Sequence, residues 1–290
     1  MAYILRIYVI LTTSLLWLDS LTLYLKYVIV KIPFYKYQAT GNDFVIIDHY
    51  STRYFDSIST DQVEHICDRR FGVGADGMMI IEPDKQYDFR MVYYNSDGRL
   101  SSMCGNGGRA ISHLAYNLGH IQQTASFIAV DGPHQVKIDG GQVELKMNEV
   151  SKINRSGQDY VLDTGSPHYV SFKDDISNID IIPAAHAIRY NPEFKEDGIN
   201  VNFVKLCQDH IAMRTYERGV EGETLSCGTG VTAASLVYMD QNDQAHGSHK
   251  VTVKTEGGSL EVRAVKDDGV YTEIWLCGPA VKSFEGVIEL

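Results

Sequence analysis

A cysteine followed at once by Gly-x-Gly occurs once in each half of this chain, and this repetition constrains the fold more than any other feature. The first copy reads MCGNGG at residues 103–108, and the second reads SCGTGV at residues 226–231. Helical spacing follows each copy, so each thiol is predicted to lie at a helix N-terminus. Free backbone N–H groups and the positive end of the helix dipole favour an anion there, and we expect them to lower the pKa of each thiol. Two such cysteines predict acid/base groups that face each other across one substrate.

The sequence around the two cysteines is also duplicated. Tyr94-Asn95 stands ten residues before Cys104, and Tyr216-Glu217 stands eleven residues before Cys227. A segment typical of a β-hairpin follows each helical stretch, at residues 127–145 and 251–273. The repeat predicts an α+β fold of two pseudo-symmetric domains, each a curved β-sheet or barrel around a central helix, with the active site in the cleft between them.

Beyond residue 30 the apolar runs are short and separated by Gly, Asp and Asn turns. Seven runs are predicted to be buried strands: Phe44–Asp48, Met78–Ile81, Phe89–Tyr94, Phe127–Val130, Val143–Met147, Tyr169–Phe172 and Val201–Leu206. Three stretches have helical spacing: Val63 to Arg70 behind a cap at Ser59 or Thr60, Ala110 to Leu118 ended by Gly119, and Val231 to Tyr238.

Composition excludes several classes of function. The net charge of -11, with no cluster of Lys or Arg, argues against a nucleic-acid partner and favours a small-molecule ligand. Five widely spaced cysteines are too few for a disulfide scaffold, which indicates a reducing, cytoplasmic setting. Cys67, Cys207 and Cys277 are interpreted as structural. The chain has no Cys-x-x-Cys, His-rich cluster or nucleotide-binding fingerprint, so we expect no metal site.

Residues 1–30 differ from the rest of the chain because they are rich in Leu, Ile, Val and Tyr. The uninterrupted apolar run Ile7–Leu18 has only twelve residues, against the roughly 20 that cross a bilayer. An extension that plays no part in the fold is one interpretation, and a signal, an anchor or a docked helix are the alternatives. No membrane partner is expected for the remaining chain.

The two cysteines predict a reaction. A substrate carboxylate held between two helix ends would accept hydrogen bonds from both glycine-rich turns, and these would stabilise the charge that it gains when the adjacent carbon loses a proton. A thiolate on one face would remove that proton while a thiol on the opposite face returned one, which inverts the carbon without a cofactor. Glycine at these turns would let the backbone approach the ligand closely.

The order of several motifs resembles the diaminopimelate epimerase family from about residue 31 to the C-terminus. They are GNDF at 41–44, GVGADG at 72–77, NSDG at 95–98, CGNG at 104–107, GSPH at 165–168, NVNF at 200–203, YERG at 216–219 and SCGTG at 226–230. The resemblance implies pyridoxal-independent two-base catalysis by Cys104 and Cys227, interconversion of LL- and meso-2,6-diaminopimelate, and a homodimer. It also implies an N-terminal domain of residues 31–148 joined by the returning segment 276–290, and a C-terminal domain of residues 149–275.

The resemblance implies further site residues, motif by motif. Asn42, Asn95, Asn200, Glu217 and Arg218 would hold the substrate, and Gly105, Asn106, Gly228 and Thr229 would bind the reacting carboxylate. The alternative for Asn42 and Asn95 is that they only form turns. The alternative for Glu217 and Arg218 is a surface ion pair. Ser166, His168 and Gly77 are possible site residues, although His168 could equally be structural. Ser166 stands where family members often have Asn, and Gly77 stands where some have Gln, so both departures concern the contacts to the distal end of the substrate.

The sequence is compatible with other functions. A racemase of another amino acid on the same fold is the nearest alternative, and Asn95, Asn200 and Arg218 argue against it because only a substrate with a distal carboxylate needs them. A non-catalytic amino-acid binding protein and a transferase or hydrolase with one nucleophilic cysteine are alternatives from other classes.

Overall fold

The computed structural model describes residues 30–101, 103–242 and 247–289. The interpretations offered for the N-terminal extension therefore fall outside the described residues, apart from Val30. Within the described ranges, no helix is long and apolar enough to cross a membrane.

Seventeen strands and four helices form the described part of the chain. The strands are β1 Lys31–Ala39, β2 Asn42–Asp48, β3 Gly77–Glu82, β4 Phe89–Asn95, β5 Thr124–Ala129, β6 Gly132–Asp139, β7 Gln142–Lys146, β8 Asn154–Ser156, β9 Asp159–Asp163, β10 Pro167–Phe172, β11 Asn200–Leu206, β12 Ile211–Glu217, β13 Gly222–Thr224, β14 Gly247–Thr255, β15 Gly258–Asp267, β16 Val270–Pro279 and β17 Val281–Glu289. The helices are α1 Thr60–Cys67, α2 Gly105–Asn117, α3 Ile181–Arg189 and α4 Gly228–Gln241.

The strand pairings repeat between the two halves. In the first half, β1 to β4 pair in the order antiparallel, parallel, antiparallel, then β4 pairs parallel with β5, and β5 to β7 form an antiparallel meander. In the second half, β9 to β12 pair in the same order, then β12 pairs parallel with β14, and β14 to β16 form the meander. The α+β prediction with two pseudo-symmetric units is confirmed.

Two antiparallel pairings involve the C-terminal strands and the first half of the chain. Strand β16 pairs with β7 as well as with β15, which makes the sheet continuous between the halves. Strand β17 pairs with β1, placing Ile288 opposite Ile32. The C-terminal segment therefore returns to the strand with which the described chain begins.

The cysteine-bearing helices lie in equivalent places, α2 between β4 and β5 and α4 between β12 and β14. Both are enclosed by sheet: Ile111 and Leu114 of α2, and Val231 and Leu236 of α4, belong to one continuous apolar core. Each fully buried aliphatic side chain of this size contributes roughly 1.5–3 kcal/mol to stability. The helices are thereby fixed within the core, and their N-termini are fixed with them.

The helix predictions differ from the structure in two details. Ser59 caps α1 in a capping box with Gln62, but the helix ends at Cys67, so Arg70 lies beyond it and not on its buried face. Helix α3 was not predicted from the sequence because its apolar stretch is short and includes Pro183. Proline is tolerated there because the first turn of a helix has no intrahelical partners for its N–H groups.

Candidate active site

Cys104 and Cys227 each occupy the N-cap position of a long helix, as the sequence predicted. Both have extended backbone conformations, with φ −104° and ψ 132° for Cys104 and φ −114° and ψ 113° for Cys227. Burial raises the pKa of both thiols, while the backbone N–H of Gly107 at Cys104 and that of Gly230 at Cys227 act in the opposite direction. Each thiol therefore faces the donor end of its own helix.

The two helix ends abut. A Cβ built on Gly228 would lie 3.6 Å from the Cα of Gly105 and 2.8 Å from Cδ2 of Leu276. Only glycine at position 228 lets the first turn of α4 pack this closely against the first turn of α2 without displacing Leu276.

A hydrogen bond between the two cysteine-containing turns fixes their relative position. The side-chain amide of Asn106, two residues after Cys104, donates to the backbone carbonyl of Ser226, one residue before Cys227, at 2.9 Å. The negative charges of the two thiolates also repel each other, which raises the pKa of Cys227. The structure thus brings both predicted cysteines into one site.

The expected lowering of the thiol pKa values is wrong for this structure. Burial raises the pKa of Cys104 and raises that of Cys227 well above its ordinary value. The nearby carboxylate of Glu217 raises both further. The helix N–H groups act in the predicted direction, but removing the thiolates from water outweighs them.

On the first-half side, Asn42 faces Cys104 through its carbonyl oxygen. Its Nδ2 donates to the Asp76 carboxylate at 2.7 Å, which leaves Oδ1 at 3.6 Å from the Cys104 sulfur and 3.5 Å from Nδ2 of Asn106. Arg69 holds Asp76 in turn, with Nη2 at 2.7 Å from its carboxylate. Because Asp76 only accepts hydrogen bonds when ionised, the orientation of the Asn42 amide is determined.

On the second-half side, a chain of hydrogen bonds ends at Cys227. Oγ1 of Thr229 lies 3.4 Å from the Cys227 sulfur, and Nε2 of His168 lies 2.8 Å from the same hydroxyl. The Asn202 amide donates to Nδ1 of His168 at 3.1 Å and to the carbonyl of Tyr169 at 2.9 Å. Burial lowers the pKa of His168 to about 3, so its imidazole is neutral at physiological pH.

Glu217 lies next to Cys227. Its carboxylate accepts a hydrogen bond from the Thr224 hydroxyl; burial raises its pKa, and the neighbouring Cys227 thiol acts to lower it. Glu217 was expected to hold the substrate, and its closeness to the thiol was not predicted from the sequence.

The remaining predicted residues form two groups. Asn200 donates to Oγ of Ser166 at 2.9 Å and accepts from the backbone N–H of Arg218 at 2.9 Å, so these three lie together. Gly77 pairs with Asn95 across β3 and β4, and the Asn95 side chain is exposed there. Among the described residues, Asn95 has no side-chain hydrogen bond that ties it to either thiol.

Three buried polar residues of the site were missed. Thr40, at φ 47°, donates to Ser226 Oγ at 3.2 Å and so adds a second link between the halves. Arg109 donates to the Asn106 side chain at 2.9 Å, and Asn202 orients His168. Spacing could have indicated two of them: Asn202 shares a face of β11 with Asn200, and Arg109 lies one helical turn after Gly105. Nothing in the sequence marks the left-handed conformation of Thr40.

The described residues contain no group of three or more His, Cys, Asp or Glu side chains arranged to hold a metal ion. What the site offers is two thiols, converging backbone N–H groups and neutral amide and hydroxyl donors.

Comparison with solved structures defines the fold. A PhzF-family phenazine biosynthesis protein of Bacillus anthracis superposes with a TM-score of 0.69 at 14% identity, covering 89% of this chain and 99% of that one. A hydroxyproline epimerase of Agrobacterium vitis gives a TM-score of 0.64 at 12% identity, covering 90% and 93%. At such identities the likeness is one of fold, and together with the matches described next it makes the chain an isomerase of the racemase and epimerase type.

Sequence comparison then gives the family. The diaminopimelate epimerase family model matches residues 34–158 and 160–282, one match in each half of the repeat. Relatives named diaminopimelate epimerase include one from Flavobacterium psychrophilum, 44% identical over 256 residues and covering 88% of this chain and 99% of that protein. Another, from Archaeoglobus fulgidus, is 35% identical and covers 90% and 98%. The chain belongs to the diaminopimelate epimerase family.

Proposed function

We propose that this enzyme interconverts LL- and meso-2,6-diaminopimelate by proton transfer between Cys104, Cys227 and one α-carbon. The observation that carries the proposal is the hydrogen bond from Asn106 to the carbonyl of Ser226, at 2.9 Å, because it ties the two cysteine turns together across the repeat. Membership of the family, and the relatives that bear the enzyme's name, support the choice of substrate.

The first turns of α2 and α4 bind the reacting carboxylate. Gly105, Asn106, Gly228 and Thr229 direct N–H groups towards it from both helix ends, where the helix dipoles also favour negative charge. When the α-proton leaves, electron density moves onto this carboxylate, and donors already in place stabilise the carbanion without reorganising.

The two thiols exchange protons with opposite faces of the carbon. One cysteine, as a thiolate, removes the α-proton, and the other, as a thiol, donates a proton from the opposite face, so the configuration inverts. The α-ammonium group of a bound substrate brings a positive charge next to the thiols, which lowers their pKa values and so opposes the elevation caused by burial. Acid and base exchange roles in the reverse reaction, and no cofactor is needed.

The substrate is held by Asn42, Asn95, Asn200, Glu217 and Arg218, with Ser166, His168 and Gly77 as possible further contacts. Of these, Asn200, Ser166 and Arg218 lie together and bind the distal amino-acid group. Arg218 grips the distal carboxylate through its guanidinium, and the Asn200 side chain accepts from its backbone N–H at 2.9 Å, which orients it. A racemase of a monoamino acid would not use this guanidinium. Arg218→Ala therefore lowers kcat/KM for diaminopimelate by several orders of magnitude, and an unchanged value would favour the racemase alternative.

The domains comprise residues 31–148 with the returning segment 276–290, and residues 149–275. The pairings of β17 with β1 and of β16 with β7 support this division. The enzyme is cytoplasmic, consistent with its reduced cysteines.

The enzyme is a homodimer whose interface includes the exposed apolar side chains around β17 and Phe71. Phe71, Phe284 and Val287 are 78%, 49% and 60% exposed around a groove of about 360 Å³, an apolar surface that a second copy would cover. Light scattering should give twice the 32.5 kDa chain mass, and Phe284→Asp should give the monomer.

Incubation of the reduced enzyme with LL-diaminopimelate in D₂O tests the proposal. Meso product carrying one α-deuterium at the inverted carbon is expected, and intact-mass spectra should show no covalent adduct on either cysteine. Active, reduced protein that incorporates no deuterium would exclude the epimerase reaction, and an adduct would favour a cysteine nucleophile.

A further inference from the structure

A buried cation lies behind the two cysteine turns. Arg109 of α2 is 0% exposed, and within residues 30–101, 103–242 and 247–289 no carboxylate forms an ion pair with it. Its partners are neutral: Oδ1 of Asn106 at 2.9 Å, Oγ1 of Thr40 at 3.1 Å and the carbonyl of Gly105 at 3.4 Å. Its Nε has no partner among the described residues.

Such a charge opposes folding. Burying an ion without a counter-charge is strongly unfavourable, and this one is also in the wrong place for the helix dipole. The side chain runs back one turn to the carbonyl of Gly105, so the guanidinium lies at the positive end of α2, where an anion is favoured and a cation is not.

The guanidinium is closely packed and remains charged. A Cβ built on Gly278 would collide with Cδ2 of Leu260 and would lie at ordinary contact distances, 3.4 Å and 3.6 Å, from Nε and Cζ of Arg109. Burial lowers the pKa of Arg109 to about 10, which leaves it a cation at physiological pH. The structure thus retains a positive charge that its own described residues do not neutralise.

Two groups act on Arg109 through their negative charge: Cys104 belongs to the reaction site, and Cys277 lies outside it, in β16. The thiolate forms of Cys104 and Cys277 are the charges that favour its protonated state, and in return Arg109 lowers the pKa of Cys104. Glu217 has the opposite effect on that thiol. Through Asn106, Arg109 is also one side chain away from the donors proposed for the reacting carboxylate.

We propose that Arg109 is a positioning residue whose counter-charge is supplied by the reaction itself: it orients and polarises the Asn106 amide and stabilises the negative charge of the Cys104 thiolate and of the substrate carboxylate during proton transfer. The predicted effect on kcat rests on the proposed epimerase function. The predicted effect on the ionisation of Cys104 depends on that thiol alone. No bond is made or broken at Arg109, and it exchanges no proton with substrate.

Two substitutions separate charge from hydrogen bonding. Arg109→Gln keeps a donor for Asn106 and removes the charge, whereas Arg109→Lys keeps the charge with a different donor geometry. A unit charge acting over several ångströms at a partly shielded site changes a rate by roughly 10- to 100-fold. We therefore expect Arg109→Gln to lower kcat by roughly 10- to 100-fold with KM changed by less than about 3-fold, and Arg109→Lys to recover most of that loss.

The thiol itself gives a readout that needs no substrate. Iodoacetamide alkylation followed by peptide mapping across a pH series reports the ionisation of Cys104, and its midpoint should move to higher pH in Arg109→Gln but not in Arg109→Lys. Arg109→Met adds a variant that removes the unpaired charge without leaving a polar group, so it should fold and melt near the wild-type temperature while remaining slow. Arg90→Gln, at a half-exposed arginine paired with Asp84 at 2.7 Å, is the matched control.

Equal losses of kcat in Arg109→Gln and Arg109→Lys, with no change in the Cys104 alkylation midpoint, would overturn the proposal. A wild-type kcat in Arg109→Gln would also overturn it. A melting temperature of Arg109→Met far below that of the wild type would show that Arg109 is a structural residue and would also overturn it. Wild-type protein that fails to epimerise diaminopimelate would refute the proposed function, while the alkylation series would still decide the effect of Arg109 on Cys104.

Discussion

The hydroxyl oxygen of Thr229 lies 3.4 Å from the sulfur of Cys227 and 2.8 Å from Nε2 of His168. Since the imidazole N–H donates to this hydroxyl, the hydroxyl proton is free to point at the sulfur. A donor so placed favours the thiolate over the thiol and opposes the elevation of the pKa by burial. Among the described residues no hydroxyl takes this place at Cys104, where Asn42 presents a carbonyl oxygen at 3.6 Å.

Replacing Thr229 by Val should remove the donor while preserving the shape of the side chain. A hydrogen bond to a charged group contributes about 1.5–3 kcal/mol, so kcat/KM should fall by roughly 10- to 100-fold. The pKa of Cys227 should rise, moving the rising limb of the pH profile to higher pH. Thr229→Ser keeps the hydroxyl and should stay within a few-fold of wild type; equal loss in both variants would show that packing, and not the hydroxyl, matters.

The tautomer of His168 follows from the partners of Asn202. The Asn202 amide nitrogen must donate, because one of its partners is the backbone carbonyl of Tyr169, at 2.9 Å. Nδ1 of His168 therefore accepts, and the ring proton is on Nε2. Nitrogen NMR should show this neutral tautomer down to pH 5, whereas Asn202→Asp, which offers an acceptor instead, should raise the pKa of His168. Titration of His168 near pH 6.5 in the wild type would contradict the assignment.

The buried, neutral His168 also makes stability depend on pH. Its pKa is about 3 in the folded protein and about 6.5 when unfolded, so between these values the unfolded chain binds the extra proton. Its contribution is fully present above pH 6.5 and is lost as the pH falls, at about 1.4 kcal/mol per pH unit. Urea unfolding at pH 6.5 and pH 5 should therefore show a difference about 1.6 kcal/mol larger in wild type than in His168→Gln, and equal differences would exclude this account.

The contact between the helix ends predicts the effect of a single methyl group. In Gly228→Ala the new Cβ would lie 2.8 Å from Leu276 Cδ2, so α4 or Leu276 must move. We expect a loss of about 1–3 kcal/mol in the free energy of unfolding and a larger proportional loss of kcat, because the N–H donors of the turn shift with the backbone. Gly141→Ala, where nothing lies within 4 Å, is the control and should be neutral in both measurements.

The repeated Cys-Gly-x-Gly turns were sufficient to predict both long helices and the duplicated fold, because local capping and spacing determine where a helix begins. The strands β1 and β17 were not predicted, since their pairing joins residues some 250 positions apart and depends on tertiary contacts. The direction of the thiol pKa shifts could not be predicted from the sequence either. Helix N–H groups are a local property, but the burial that outweighs them depends on how the two halves pack.

Within the site, too, the spacing of residues along the sequence predicts some contacts and not others. The placement of Asn42, Asn106 and Thr229 near the cysteines follows from their nearness in the chain or from the family motifs. The contact of Glu217 with Cys227 does not, because it depends on the approach of β12 to the start of α4. Residues that act through others, such as Asn202, become visible only when hydrogen-bond partners are known.

The central claim is that two thiols serve opposite faces of one carbon, and single replacements in D₂O test it most directly. Cys104→Ala and Cys227→Ala should each lose epimerisation of LL- and of meso-diaminopimelate by roughly 10²- to 10⁴-fold, since inversion needs both a base and an acid. Each variant is compared with wild type by circular dichroism and by the configuration and α-deuterium content of the product. Loss of epimerisation in both variants is the predicted result; near wild-type epimerisation by either variant would contradict the paired mechanism.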